Sequence, residues 1–185
     1  RDRPDVVCLQ ELKAEPTQVP AECAHADYHV YWHGMRAYSG VSLHVRKNLF
    51  ASEPEFSHPD FDMESRIVQA RCGDLVIASV YVPNGGKDYA AKLDFMRRLA
   101  AWTRSVHEQG LELVLCGDMN ITRTEMDVHP RERKPGVTGQ RPEERELFQQ
   151  LLGDHLVDVG RALNPDNDRM FTWWAPWRNL GQRNI

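Results

Sequence analysis

Short apolar runs of strand length recur along this chain, and turn-forming residues separate them. Six segments share this character: residues 6–9, 28–33, 41–45, 66–71, 75–82 and 111–116. Val41, Leu43 and Val45 alternate with Ser42 and His44, the period-two pattern of a strand with one covered face. The runs at 6–9 and 111–116 predict buried strands. A chain of 185 residues is also long enough to bury a substantial core.

Two longer segments carry the helical period instead. In the segment 88–109, one face holds the apolar residues Leu93, Met96, Leu99, Trp102 and Val106. A second helix is predicted from Pro142, with Glu143 and Glu144 in its first turn and Gly153 at its end. Because strands and helices mix along the chain, we expect an α/β fold in which β-sheets pack together and helices lie outside.

Composition limits the function classes. The formal net charge is −4, which disfavours a protein that grips nucleic acid mainly by charge. The negative net charge does not argue against a metal-dependent phosphodiesterase, because its bound ion neutralises a cluster of acidic ligands. No apolar run approaches the roughly 18 residues of a membrane helix, so no membrane partner is expected. The four cysteines form no CxxC pair, and Cys8 and Cys116 are expected to be buried thiols in a reducing compartment.

Polar side chains follow three of the predicted strands. Glu11 follows the first run, Tyr81 closes the run at 75–82, and Asp118 and Asn120 follow the run at 111–116. Side chains at strand ends are held by the sheet and face solvent, so they can converge on one site. Carboxylate and amide oxygens are the ligands that Mg²⁺ prefers. Asp118 can orient or deprotonate a water, and Asn120 and Tyr81 can donate to a phosphate oxygen.

Each of these residues alone has an ordinary explanation. A glutamate after a strand is commonly a solvated turn residue, and an Asp-x-Asn sequence after a glycine is commonly an Asx-turn. A tyrosine at a strand end is commonly half-buried at the rim of a sheet. Only the order and the context of the residues favour a shared site.

The order of six motifs resembles that of the exonuclease III family of abasic-site (AP) endonucleases. The motifs are LQELK at 9–13, SGV at 39–41, YVPNG at 81–85, GDMNI at 117–121, PEERE at 142–146 and FTWW at 171–174. The resemblance covers nearly the whole chain, and the YVPNG and GDMN motifs are the most specific. It implies a DNase I-like four-layer sandwich, with two packed mixed β-sheets flanked by helices in a single domain at 1–185.

The resemblance also implies a role for each matching residue. Glu11 would bind the metal ion, Mg²⁺ or alternatively Mn²⁺, with Asp118 and Asn120 beside it. Tyr81 would contact the scissile phosphate, Asp118 would act as the acid/base group, and Asn120 would stabilise the transition state. The residues expected to contact DNA are Arg66, Asn84, Trp173 and Trp174, and the two tryptophans would wall a pocket for a sugar without its base. Two core tryptophans remain the alternative.

The family's pattern extends beyond these 185 residues. It includes an asparagine upstream of Arg1, and an aspartate and an Asp-His pair downstream of Ile185. The domain is therefore expected to be truncated at both ends, and the 185 residues alone to be badly impaired. Asp154 and His155 precede the tryptophans and are not expected to replace the missing pair.

The predicted function is that of a magnesium-dependent DNA-repair phosphodiesterase. It would act as a 3′–5′ exonuclease and an abasic-site endonuclease on double-stranded DNA, as a cytoplasmic monomer. One alternative is another nuclease or phosphatase of the same superfamily. A second is a catalytically dead, RNA-associated regulator, which the presence of Glu11, Tyr81, Asp118 and Asn120 disfavours. The basic loop at 129–141 is either a solvated surface loop or an edge that follows the DNA phosphates.

Overall fold

The structure is a computed structural model that describes residues 3–174 of the chain. Residues 181–185, whose sequence Gly-Gln-Arg-Asn-Ile also follows the pattern of the exonuclease III family, lie outside the described residues. The chain forms two compact units. The first unit comprises residues 3–83 and 101–119, and the second comprises residues 84–100 and 120–174.

The first unit contains a three-stranded antiparallel sheet. Its strands are β1 (Val6–Gln10), β2 (Tyr28–Met35) and β3 (Tyr38–Arg46), in the order β1-β3-β2. The central strand β3 is buried on both faces, because Ser42 and His44 are buried together with Val41, Leu43 and Val45. The prediction of one covered face was therefore wrong. The period-two pattern distinguishes an apolar face of β3 from a polar face, but both faces of this strand are buried.

The first unit also contains a four-stranded mixed sheet. Its strands are β4 (Glu55–Ser57), β5 (Ile67–Cys72), β6 (Leu75–Tyr81) and β7 (Glu112–Asp118), in the order β4-β5-β6-β7. Strands β5 and β6 form an antiparallel hairpin, and β6 and β7 are parallel. Since parallel strands end at the same edge of a sheet, Tyr81 and Asp118 lie side by side in the register.

The two sheets share an apolar core within the first unit. Its buried members are Val41, Leu43, Val45, Val68, Ala70, Cys72 and Ile77. The sequence also predicted buried strands at 6–9 and 111–116, and this was wrong in part. Strands β1 and β7 are outer strands of their sheets, so β1 is mainly half-buried and Val114 of β7 is 46% exposed. Cys8 is likewise half-buried and Cys116 is exposed.

The first long helix, α1 (Tyr89–Glu108), agrees with the prediction at both ends. It ends at Gly110, where φ is +73° and the N–H groups of Gly110 and Leu111 donate to the carbonyls of His107 and Val106. This is a Schellman motif, which requires a left-handed residue at the helix end. The buried face of α1 also includes a lysine, Lys92, which lies four residues before Met96 on the apolar face.

The second unit contains the other two helices, α2 (Pro142–Leu152) and α3 (Val159–Leu163). Helix α2 begins at Pro142 and is followed by Gly153, as predicted, and Leu147 and Leu151 are its buried apolar residues. Among residues 3–174, no helix has the length and apolar character needed to cross a membrane.

Candidate active site

Glu11 lies directly after β1 in a backbone conformation that is unusual for a glutamate, with φ at +57°. The segment that follows is held by β3, because the N–H groups of Leu12 and Lys13 donate to the carbonyls of Gly40 and Ser39 at 3.2 and 2.8 Å. The Ser-Gly motif thus fixes the turn that carries Glu11. Left-handed conformations of this kind cost about 1–3 kcal/mol and cluster at functional sites.

The carboxylate of Glu11 is paired with a cation. The Lys13 ammonium group lies 2.8 Å from Glu11 Oε2, and both side chains are about half exposed. The hydrogen bond from Lys13 lowers the pKa of Glu11, and the Tyr81 hydroxyl contributes in the same direction. Glu11 is therefore ionised at neutral pH and is suited to bind a cation.

Tyr81 and Asp118 end the parallel strands β6 and β7. The backbone N–H of Val82 donates to the Asp118 carbonyl at 2.9 Å, which continues the pairing beyond the strand ends. Burial raises the pKa of the Tyr81 phenol, and the negative charges of Glu11 and Asp118 raise it further. Both carboxylates therefore raise the pKa of the same phenol. The phenol stays protonated and can donate a hydrogen bond.

Gly117 allows β7 to approach β6 closely just before Asp118. Its φ is +145°, and a Cβ atom added there would lie 1.9 Å from the carbonyl oxygen of Val80. That neighbour is backbone, which cannot rotate away as a side chain can. The glycine of the GDMN motif is thus required by the packing that places Asp118.

Replacing Gly117 with alanine is expected to lower the free energy of unfolding by about 3 kcal/mol, because the strands must separate to admit the methyl group. Gly110→Ala is the matched control, since Gly110 also has a positive φ but nothing lies within 4 Å of its added Cβ. The control is expected to lose about 1 kcal/mol from backbone conformation alone. Urea unfolding measures both changes, and equal losses would contradict the steric argument.

Arg66 is buried against Tyr81. Its guanidinium carbon lies 4.8 Å from the centre of the Tyr81 ring, and its Nε and Nη2 donate to Glu64 Oε2 at 3.0 and 2.8 Å. It also donates to the Tyr38 hydroxyl at 3.2 Å. Only 4% of Arg66 is exposed, so this geometry favours a role in positioning Tyr81. The predicted contact of Arg66 with DNA stays a prediction.

Asn84 and Asn120 lie together in the second unit. Asn84 Nδ2 donates to Asn120 Oδ1 at 3.3 Å, and Asn120 has a φ of +49°, a left-handed conformation that asparagine tolerates better than most residues. Lys92 Nζ donates to the backbone carbonyls of Asn84 and Asn120, at 3.2 and 2.8 Å. One ammonium group therefore fixes both asparagine segments.

Lys92 forms a buried ion pair with Glu144. Its Nζ lies 2.6 Å from Glu144 Oε1, and both side chains are 0% exposed. Glu144 Oε2 accepts the backbone N–H groups of Gly139 and Arg141 at 2.7 and 3.0 Å. The sequence predicted Glu144 only as a favourable first-turn residue of α2. The available signal was Lys92 itself, which lies on the same helical face as Met96 and Leu99.

Trp173 and Trp174 also belong to the second unit, where Trp173 is 66% exposed and Trp174 is half-buried. The exposure of Trp173 disfavours the alternative of a core residue, and the pocket role of both stays a prediction. Asp154 and His155 follow α2 in a turn.

The basic loop at 129–141 has several of its cations engaged locally. Arg133 and Lys134 lie 3.5 and 4.0 Å from Glu125 and Glu132, and the Arg141 guanidinium lies 4.3 Å from the centre of the Tyr89 ring. These contacts lie within the second unit and leave both interpretations of the loop open.

The chain matches a known protein family over almost its whole length. The model of the Endonuclease/Exonuclease/phosphatase family matches residues 1–183. The chain belongs to this family. DNA repair nuclease APEX1 of Danio rerio is 31% identical over 194 residues, which cover 100% of this chain and 62% of that relative. The exodeoxyribonuclease of Bacillus subtilis strain 168 is 28% identical over 189 residues, covering 98% of this chain and 73% of the relative.

The relatives that match are longer than this chain. Recombination repair protein 1 of Drosophila melanogaster is 29% identical over 189 residues, which cover all of this chain but 28% of that protein. The chain thus spans less than two thirds of this relative and of the Danio rerio protein. The relatives confirm the predicted resemblance to the exonuclease III group.

Solved structures confirm the predicted α/β fold class, with two β-sheets flanked by helices. An AP endonuclease from Archaeoglobus fulgidus matches with a TM-score of 0.85 and 26% identity, over 98% of this chain and 72% of that one. The 3′–5′ exonuclease NExo from Neisseria meningitidis matches with a TM-score of 0.86 and 28% identity, over 98% and 73% of the two chains.

Proposed function

We propose that this chain belongs to a magnesium-dependent DNA-repair phosphodiesterase with 3′–5′ exonuclease and abasic-site endonuclease activity. The observation that carries this proposal is the pairing of Tyr81 with Asp118 at the ends of β6 and β7, with Glu11 in the same unit near enough for its charge to raise the pKa of Tyr81. Two carboxylates and a protonated phenol at adjoining strand ends suit phosphoryl chemistry, in which positioning and charge stabilisation do most of the catalysis.

The donor set of the first unit fits a hard divalent cation. Glu11 is ionised, partly exposed and held on a fixed turn, and the carboxylate of Asp118 acts on the same phenol. A bound Mg²⁺ would neutralise charge on the scissile phosphate. Glu11 and Asp118 supply oxygen ligands of the type that this ion prefers over nitrogen or sulfur.

In the proposed reaction, Tyr81, Asp118 and Arg66 of the first unit each have one task. Tyr81 donates its hydroxyl proton in a hydrogen bond to a non-bridging phosphate oxygen. Asp118 orients the attacking water and accepts its proton, and the electron pair of the broken P–O bond leaves with the 3′ oxygen of the deoxyribose. Arg66 keeps the Tyr81 ring in place through the contact across its face.

The roles proposed for residues of the second unit are based on the sequence motifs. Asn120, two positions after Asp118, would stabilise the transition state and join the metal ligands. Asn84, Trp173 and Trp174 would contact the DNA. Lys92 supports this assignment indirectly, because its buried ammonium group holds the backbones of both Asn84 and Asn120 and so keeps the two side chains within hydrogen-bond distance of each other.

The names of the relatives favour DNA repair over other branches of the family. A neighbour described as the 3′ phosphatase NExo from Neisseria, bound to a product DNA hairpin, matches with a TM-score of 0.82 and 26% identity. This neighbour adds removal of 3′ phosphates to the proposed activities. We further propose double-stranded DNA with abasic sites or 3′ ends as the substrate, a monomeric state and a cytoplasmic location.

The direct test is an assay of the protein expressed from the complete gene on an abasic duplex. With Mg²⁺, we expect incision 5′ to the abasic site, no incision of the intact duplex, and no turnover after EDTA is added. Glu11→Gln is expected to lower kcat/KM by roughly 10²-fold, because a ligand to the ion loses its charge.

Glu22→Gln is the matched control, since Glu22 is an exposed carboxylate of the same unit. A rate that is indifferent to EDTA would contradict the metal-dependent mechanism. Turnover of a soluble phosphomonoester but of no DNA would favour the phosphatase alternative. A folded protein without turnover on any of these substrates would favour the catalytically dead regulator.

A further inference from the structure

Three potential metal ligands lie together in the first unit and are not part of the proposed active site. His33 of β2, His58 after β4 and Asp62 before β5 each offer one ligand atom, and these atoms all lie within 4.8 Å of one another. His33 Nε2 and Asp62 Oδ2 are 2.6 Å apart. The rings of His33 and His58 stack with their centres 4.5 Å apart and their planes 10° from parallel.

We propose that His33, His58 and Asp62 form a binding site for a divalent transition-metal ion of the zinc type. Two imidazoles and one carboxylate are typical ligands of zinc, whereas magnesium prefers oxygen ligands alone. Bonds of about 2.0–2.1 Å in a tetrahedron place ligand atoms roughly 3.4 Å apart. To reach this spacing, the exposed His58 ring must tilt out of its stack with His33 so that both ring nitrogens face the ion, and His33 Nε2 and Asp62 Oδ2 must move apart from 2.6 Å; water would complete the fourth position.

An ordinary hydrogen bond between His33 and Asp62 explains part of this arrangement. Asp62 Oδ1 accepts the backbone N–H groups of Arg66 and Ile67 at 2.8 and 3.1 Å, so Asp62 also organises the start of β5. That hydrogen bond does not explain the position of His58. The His58 side chain is exposed, yet its ring stacks on the ring of His33, which is more buried. A metal ion accounts for all three residues, because it would take the place of the hydrogen between His33 Nε2 and Asp62 Oδ2, with the ring hydrogen then carried by His33 Nδ1, and would add His58 as a third ligand.

The electrostatics of Asp62 are compatible with a metal ligand. Burial raises the pKa of this carboxyl, but the hydrogen bonds from His33 and from the backbone N–H of Arg66 outweigh burial and lower it overall. The carboxylate is therefore ionised at neutral pH, the form that binds metal. Oδ1 is held by the backbone, so Oδ2 is the oxygen that faces His33 Nε2.

The position of the site suggests what the ion stabilises. Asp62 fixes the backbone of Arg66, and the Arg66 side chain lies on the Tyr81 ring. An ion bound at Asp62 would hold the segment 58–66, which joins β4 to β5. The binding proposal does not rest on the proposed nuclease activity, because the ion would be held outside the Glu11 and Asp118 group.

The test is zinc titration of the chelator-treated protein, expressed from the complete gene, in excess Mg²⁺. Isothermal calorimetry is expected to show one Zn²⁺ per chain with micromolar affinity, and Zn²⁺ is expected to raise the melting temperature. Co²⁺ is expected to give the visible absorption of a tetrahedral or five-coordinate nitrogen and oxygen site. A thiolate charge-transfer band instead would assign the ion to cysteine and overturn the proposal.

His58→Gln is the decisive variant, since His58 is at the surface and its loss leaves the bond between His33 and Asp62 intact. It is expected to weaken Zn²⁺ binding at least about tenfold. His33→Gln keeps a donor for Asp62 but removes the ring ligand, and is expected to have the same effect. His25→Gln, at an exposed histidine outside the cluster, is expected to bind like the unmodified protein.

Glu11→Gln separates this proposal from the proposed function. It is expected to impair DNA cleavage and to leave Zn²⁺ affinity unchanged. Unchanged Zn²⁺ affinity in His58→Gln and His33→Gln would overturn the second metal site, as would a loss of Zn²⁺ binding in Glu11→Gln.

Discussion

Replacing Asp118 with asparagine is expected to lower kcat on an abasic duplex by roughly 10²–10⁴-fold, the usual contribution of a positioned acid/base group. The substitution keeps the size of the side chain and removes its ability to accept a proton. Because the register between Tyr81 and Asp118 depends on backbone hydrogen bonds, the fold is expected to survive. Single-turnover kinetics in Mg²⁺ measure the chemical step, and KM is expected to change little.

Asp74→Asn is the matched control for this prediction. Asp74 lies in the exposed turn before β6, in the same unit, and its backbone carbonyl accepts the N–H of Glu112 whichever side chain it carries. Its activity is expected to equal that of the unmodified protein. A near-normal rate for Asp118→Asn, with an unchanged melting temperature, would remove Asp118 from the mechanism.

Replacing Lys92 with methionine is expected to lower the free energy of unfolding by about 3–5 kcal/mol, the typical cost of breaking a buried ion pair from one side. The Glu144 carboxylate would lose its cationic partner at a site with no exposure to water. The carbonyls of Asn84 and Asn120 would also lose their donor. Urea unfolding followed by tryptophan fluorescence measures the change.

A second substitution tests the cause of this loss. In the double variant Lys92→Met with Glu144→Gln, residue 144 keeps an oxygen for the N–H groups of Gly139 and Arg141 but carries no charge. The double variant is therefore expected to recover most of the lost stability. Lys87→Met, at an exposed lysine of the same unit, is expected to change stability by less than about 0.5 kcal/mol. If the double variant is no more stable than Lys92→Met, the uncompensated charge of Glu144 is not the cause of the lost stability.

The strand positions and the ends of the helices could be predicted because they depend on local chemistry. Pro142 favours the first turn of a helix, and Gly110 adopts the left-handed conformation at a helix end at little cost. The hairpin between β5 and β6 follows from a short turn between two apolar runs. These features involve residues close in sequence, so the sequence pattern is sufficient to find them.

Burial of the strands could not be predicted in the same way. Leu113 and Val114 belong to an apolar run, yet Val114 is 46% exposed because β7 is the outer strand of its sheet. Ser42 and His44 are polar, yet both are buried because β3 is central and covered on both faces. The place of a strand in its sheet depends on pairing between residues distant in sequence, which hydrophobic periodicity does not encode.

By itself, the sequence determined the family, the order of the elements and the residue types available for chemistry, because motifs and turn signals are read from consecutive residues. Only the tertiary structure decided that Arg66 lies on Tyr81, that Lys92 and Glu144 neutralise each other out of water, and that His33, His58 and Asp62 meet. Each of these groupings brings together residues from separate elements. The free energy that holds them depends on distance and burial, and both arise only when the chain has folded.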